Sequence, residues 1–154
     1  MAHPIALTSL TPREAAIDAL SRAIIGLDTK DQALFESAWS KDSPCFQRGD
    51  TVLEGMEQIN KHLYETISRM ETHHTISNCR VDLKEDGETA HMTTYALAQH
   101  HRAGEGMDPT KKGLLGGTTY FIDLVKEGDE GSWKMKKWVL QINWCDGDLS
   151  VVTG

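Results

Sequence analysis

Residues 72–102 read THHTISNCRVDLKEDGETAHMTTYALAQHHR, and the period of this stretch decides the fold. From Thr89 onward alternate residues fall into two sets. Met92, Thr94, Ala96, Ala98 and His100 share one face; His91, Thr93, Tyr95, Leu97, Gln99 and His101 share the other. A repeat of two is that of an extended strand, whose side chains point alternately to opposite sides of a sheet. His73 to Leu83 reads as a preceding strand, and the short polar turn Glu85 to Glu88 makes the two antiparallel. Small residues at 94, 96 and 98 either leave volume above the sheet, as a strand beneath a ligand pocket requires, or let a helix pack closely on Ala96 and Ala98.

Downstream, Thr118 to Lys126 and Trp133 to Trp144 read as two more strands joined by the turn EGDEG at 127–131. In the last of them Trp138, Leu140, Ile142 and Trp144 form one broad apolar face. Upstream the period becomes helical. Thr11, Pro12 and Glu14 give an N-cap, a first-turn proline and a capping-box acid, so a helix is predicted over 12–26, with Gly26 to Lys30 breaking it. Leu34, Phe35 and Ala38 mark a shorter helix over 31–39. Met56, Ile59, Leu63 and Ile67 mark a third over 55–69. A short strand is expected around Cys45 to Gln47. Helices first and a strand meander afterwards predict an α+β fold, one domain over 1–154, with helices on one face of a curved antiparallel sheet.

Composition narrows the function. The 154 residues carry 23 acidic and 16 basic side chains, a net charge of −7, which repels phosphate backbones and anionic membrane surfaces; no nucleic-acid or membrane partner is expected. No apolar run approaches the roughly 18 residues of a membrane span, and MAHPIALTSL lacks the features of a secretory leader, so the expected compartment is the cytoplasm. Three cysteines without a CxxC pair suggest neither a disulfide framework nor a thiolate zinc site. The partly apolar outer face His91, Thr93, Tyr95 and Leu97 suggests a homo-oligomer, dimer or trimer.

Seven histidines include two adjacent pairs, His73 with His74 and His100 with His101. His74 and His100 lie equally far from the turn centre near residue 87, which predicts cross-strand neighbours facing one pocket. Asp28 sits at the C-terminal end of the first helix, where a carboxylate gains nothing from the helix dipole. Either it caps the second helix, or it reaches a histidine, fixing its tautomer and raising its basicity. Two imidazoles and a carboxylate also compose the facial triad of nonhaem iron sites, but no HxD or HxE spacing supports a metal here. The glycine-rich segment 102–118 carries no phosphate-cradle pattern and reads as a loop at a pocket mouth or an ordinary hairpin connection.

Four passages, LDTKD (27–31), THHTIS (72–77), AQHHR (98–102) and SWKMKKWVLQINW (132–144), in this order and spacing, resemble the SnoaL-like branch of the NTF2-like superfamily, and within it the scytalone dehydratase type. The resemblance implies a cone-shaped α+β barrel around one deep apolar cavity. It also implies an acid/base set of Asp28, His74 and His100 that needs no metal or organic cofactor. The chain departs from that type in its phenols. Leu27 stands where a tyrosine would precede the aspartate, and Phe46 or Gln47 stands near the place of a second. An asparagine of the third strand is replaced by Phe121, or by Tyr120 in the other register. The expectation is a dehydratase or isomerase acting on a hydrophobic cyclic polyketide or terpenoid. His74 would serve as base and His100, oriented by Asp28, as acid. Tyr64, Ile67, Phe121, Trp138, Leu140 and Ile142 would form the cavity wall. Cyclisation, epoxide opening and ligand binding without catalysis are alternatives on the same fold.

Overall fold

The computed structural model describes residues 3–154. Helix α1 (Pro12–Thr29) opens with the full capping box: Glu14 N–H donates to Thr11, and Thr11 N–H donates to the Glu14 carboxylate. Its buried face carries Ala16, Ala19, Leu20, Ala23, Ile24 and Leu27. The helix does not break at Gly26. It continues to Thr29 and stops at Lys30, whose φ of 61° ends the helical hydrogen bonding. Gly26 serves another purpose. A Cβ there would lie 2.6 Å from the backbone nitrogen of Phe35, so the missing side chain lets α2 (Gln32–Ser37) pack directly on α1. Arg22, buried between the helices and the sheet, joins α1 to both by donating to Asp18, Ser37 and the Trp133 carbonyl.

The sheet contains β1 (Cys45–Arg48), β2 (Thr51–Glu54), β3 (Glu71–Leu83), β4 (Thr89–His101), β5 (Leu114–Glu127) and β6 (Ser132–Gly147), in the order β2-β1-β6-β5-β4-β3. It is mixed, not wholly antiparallel. β1 lies parallel to β6, because the chain crosses from the early connection to the far end of the meander, and β2 completes that edge. Bulges at Gly117/Thr118 and Asp123/Leu124 on the β5–β6 ladder and at Ser77/Arg80 on the β3–β4 ladder bend and twist the sheet. The helices fill its concave side, giving the expected α+β cone.

The third helical segment is not regular. α3 (Gly55–Ile59) passes through a π-helical turn (Asn60–Tyr64) into α4 (Glu65–Ser68). The additional residue in that turn rotates the following side chains by about one helical step, roughly 100°. At the other end of the chain, α5 (Ser150–Thr153) folds back so that Val151 packs with Met70 and Leu114. No described helix is long and apolar enough to cross a membrane.

The core is aromatic where helices meet sheet. Trp138 stacks on Trp39 at 6.0 Å and receives Phe46 at 5.3 Å and Tyr120 at 4.9 Å, both edge-on. Gly26→Ala tests the α1–α2 approach by its sign. Helix propensity alone would stabilise by about 1 kcal/mol, whereas the collision with Phe35 should destabilise by about 1–3 kcal/mol. The midpoint of urea unfolding reads the difference.

Candidate active site

Asp28 lies in the last turn of α1 and does not cap α2. That place belongs to Asp31, whose carboxylate accepts from Leu34 N–H at 3.0 Å. Asp28 instead faces β3. It accepts from the Thr72 hydroxyl at 2.7 Å, from the His74 backbone N–H at 2.8 Å and from the His74 ring, Nδ1 to Oδ1, at 2.6 Å. Burial would raise this carboxyl, but the bonds and charge of His74, with the Thr72 hydroxyl, outweigh it and hold it below the usual carboxylate range. An ionised Asp28 requires a proton on Nδ1. The lone pair of His74 then sits on Nε2, the arrangement of a general base.

His100 is the second imidazole, with its ring centre 5.4 Å from that of His74 and the planes at 85°. The two are diagonal, not directly opposed. Thr72 pairs with His100 and His74 pairs with Ala98. The bulge between Ser77 and Arg80, where Asn78 takes a φ of 56°, contributes to this shift of register. Both rings still belong to the concave face, because a displacement of two residues preserves the side. Asp28 therefore orients His74 and not His100, contrary to the pairing expected from the sequence. Burial, reinforced by the neighbouring His74, pushes His100 down to about 4. Its Nδ1 is buried without a hydrogen-bond partner. At neutral pH the ring is uncharged.

Both histidines line a cavity of about 530 Å³ that runs across the concave face. Ile67, Trp138, Leu140 and Ile142 are in its wall as expected. Tyr64 and Phe121 are not. The π turn carries Tyr64 away to stack on Phe35 at 5.1 Å, between helices. Phe121 lies on the outer face, 44% exposed, and the inward position belongs to Tyr120. The parity of β5 was sufficient to find this, since Tyr120 alternates in step with the apolar, buried Ile122 and Leu124. Trp144 also leaves the inner face. The ladder passes from Thr118–Ile142 to Gly117–Trp144, so Asn143 is the extra residue and the indole lies over Gly117 on the convex side.

Other wall residues were missed. Phe46 and Arg48 project from β1, and Met70, Leu114 and Val152 close the end beside the histidines. The alternation Phe46-Gln47-Arg48 was readable as a strand face, but nothing local announced the parallel pairing that puts it beside β6. The loop after β4 is fastened by Gly106 N–H donating to Glu71 at 2.6 Å and by Arg102 bonding Asp148 and Ser150. Among the described residues no three His, Cys, Asp or Glu side chains are grouped to hold a metal ion. The Asp28 oxygens are directed at Thr72 and His74 instead.

The SnoaL-like domain model matches residues 8–139. Terrestric acid biosynthesis cluster protein E of Penicillium crustosum is 42% identical over 155 residues, spanning 98% of each chain. Among solved structures, a scytalone dehydratase-like protein from Novosphingobium aromaticivorans superposes with a TM-score of 0.71 at 21% identity, over 85% of this chain and 84% of that one. Protein Kfla4162 from Kribbella flavida gives 0.77 at 15% identity, over 93% and 97%. A hexachlorocyclohexane dehydrochlorinase from Novosphingobium barchaimii gives 0.67 at 17% identity, over 89% and 90%. At these identities the three structures speak for the fold alone. The family match across most of the chain, joined to the cone and its helix and strand order, makes this protein a member of the SnoaL-like domain family.

Proposed function

We propose that the protein is a lyase or isomerase that moves protons on a hydrophobic, oxygenated secondary metabolite without an organic cofactor. The observation that carries this reading is the 2.6 Å Asp28–His74 bond beside His100 in a largely apolar cavity. The relative from a terrestric acid biosynthesis cluster, matched over 98% of each chain, supports a place in secondary metabolism; a cyclic polyketide or terpenoid is the proposed substrate class.

In the elimination form of the reaction, His74 Nε2 takes the proton α to a substrate carbonyl. The C–H electrons become the new double bond as the C–O bond to the β-hydroxyl breaks. The departing oxygen needs one proton to leave as water, and the proton now on His74 supplies it. His100 enters neutral, so it acts as an N–H donor to that oxygen and not as an imidazolium acid. Asp28 steadies the charge that His74 carries between the two transfers. Isomerisation differs only in returning the proton to another carbon.

The developing enolate oxygen also needs a donor. Tyr120 supplies a candidate where Leu27 and Phe46 cannot. Its phenol lines the cavity and is pushed up to about 12 by burial, with the Asp28 charge adding to the shift against a hydrogen bond to Thr118. Such a phenol remains protonated and donates. Convex-face Tyr95, Leu97, Phe121 and Trp144, each between 44% and 53% exposed, support a homo-oligomer that covers them.

Base chemistry is detectable without the native substrate. Cyclic β-hydroxyketones incubated with the protein in D₂O should gain deuterium at the α carbon and form the conjugated enone. His74→Ala and Asp28→Asn should each slow the exchange by about 10²- to 10⁴-fold with unchanged circular dichroism. Undiminished exchange in both variants would remove the mechanism.

The neutral state of His100 makes a separate prediction about stability. Its folded pKa of about 4 lies below the ordinary 6.5, so the unfolded chain takes up the proton first as pH falls. The associated stability is complete above about pH 6.5 and is lost towards pH 4. The loss is on the order of 3 kcal/mol at about 1.4 kcal/mol per unit. Urea midpoints measured across that window should decline less steeply in His100→Gln; parallel slopes would show that the ring titrates normally.

A further inference from the structure

The cavity has two polar ends, and the mechanism uses only one. His74 and His100 stand on β3 and β4. At the opposite side, Phe46 and Arg48 share one face of β1: Phe46 is buried against Trp138, and Arg48, the next inward position, reaches the rim. Thr51, the cross-strand partner of Arg48 on β2, and Gln58 and His62 from the irregular helix also line the cavity. The sheet order puts β6 and β5 between β1 and β4. Arg48 is therefore three to four strand spacings from the histidines, about 14–19 Å along the sheet at roughly 4.8 Å per strand and less across the concavity.

Charge distinguishes this end. No carboxylate lines the cavity among the described residues, and Arg48 is the one permanently charged cation in its wall. The Arg48 guanidinium has no ion-pair or side-chain hydrogen-bond partner among the described residues, whereas Arg22, Arg69 and Arg102 are each paired with a carboxylate. His62 likewise has no side-chain partner there. The protein as a whole carries −7, so an organic anion is repelled except where a local cation outweighs the general field. A guanidinium presents parallel donors that match a carboxylate or an enolate of a 1,3-dicarbonyl.

We propose that the cavity selects an elongated, mainly apolar substrate bearing an acidic group at the end remote from the reacting carbon, and that Arg48 receives that anion. This rests on the reading of the cavity as the reaction site and adds to it the chemical class of the substrate. Arg48 is a specificity residue in this arrangement and takes no part in proton transfer. The apolar wall between the two ends aligns the molecule, so the anion sets which carbon arrives at His74.

Two fluorescent probes of nearly the same shape separate charge from apolar fit: 8-anilinonaphthalene-1-sulfonate and the uncharged N-phenyl-1-naphthylamine. Arg48→Gln should weaken the sulfonate by about 5- to 10-fold and leave the neutral probe within about 2-fold. Arg48→Lys should retain most of the sulfonate affinity. Added salt should weaken sulfonate binding to the wild type and have little effect on Arg48→Gln. Equal losses for both probes, or no loss for either, would overturn the assignment of Arg48 while leaving the cavity as a binding site. Failure of both probes to bind the wild type would overturn the cavity reading as well. If the sulfonate preference depends on Arg48 but deuterium exchange ignores His74, the anion site stands and the proposed chemistry falls.

Discussion

A carboxylate at the C-terminal end of a helix is opposed by the helix dipole, and Asp28 is held there by three donors from a single strand. That bond set is what the site depends on. It fastens the end of α1 to β3, so the helix cannot slide along the sheet without losing charge-assisted hydrogen bonds to a half-buried anion. It also determines which nitrogen of His74 bears the proton. A structural restraint and a chemical one are thus carried by the same few atoms, and the backbone N–H of His74 takes part in fixing the ring of its own residue.

The approach of α1 and α2 serves that arrangement. Gly26 lies two residues before Asp28, and its missing Cβ lets the Phe35 backbone come against the helix. Phe35 in turn packs edge-on against Trp39 and tilted against Tyr64. The last turn of α1 is thereby supported on the side away from β3 by aromatic packing and on the side toward β3 by hydrogen bonds. The residues that set Asp28 in place are consequently spread over α1, α2, β3 and the π turn.

Much of this was legible in the residues. The capping box of α1, the period-two faces of β4 and the apolar face of β6 gave the elements and the inward direction of Ala96, Ala98 and His100. The misplaced acid at 28 pointed to the histidines. What parity could not reveal was where an extra residue interrupts a period. One bulge contributed to moving His74 from the expected place opposite His100 to a diagonal one, another sent Trp144 outward, and the π turn withdrew Tyr64. These interruptions have weak local signatures because each is stabilised by the ladder or helix pair around it. The partner of Asp28 was misread for the same reason: which histidine the carboxylate meets depends on a register that only the assembled sheet fixes.

The absent tyrosines then acquire a positive meaning. The dehydratase type that this chain resembles has tyrosines next to the aspartate and on the early connection. Here Leu27 and Phe46 supply hydrocarbon at those two places, and both line the cavity. A substrate carbonyl set against either would lose its hydration without gaining a donor, an arrangement that costs several kcal/mol by order of magnitude. The donors that remain near the histidines project from β4 and β5, His100 and Tyr120. In the proposed reaction a carbonyl stabilised by Tyr120 would lie toward the middle of the sheet, with the acidic α-hydrogen turned to His74 on β3. The rest of the molecule would then extend along Trp138 and Leu140 toward β1, where the side chain beyond Phe46 is arginine. On the proposed reading, hydrocarbon at these two places leaves carbonyl polarisation to Tyr120 and His100 and the β1 end of the cavity to Arg48.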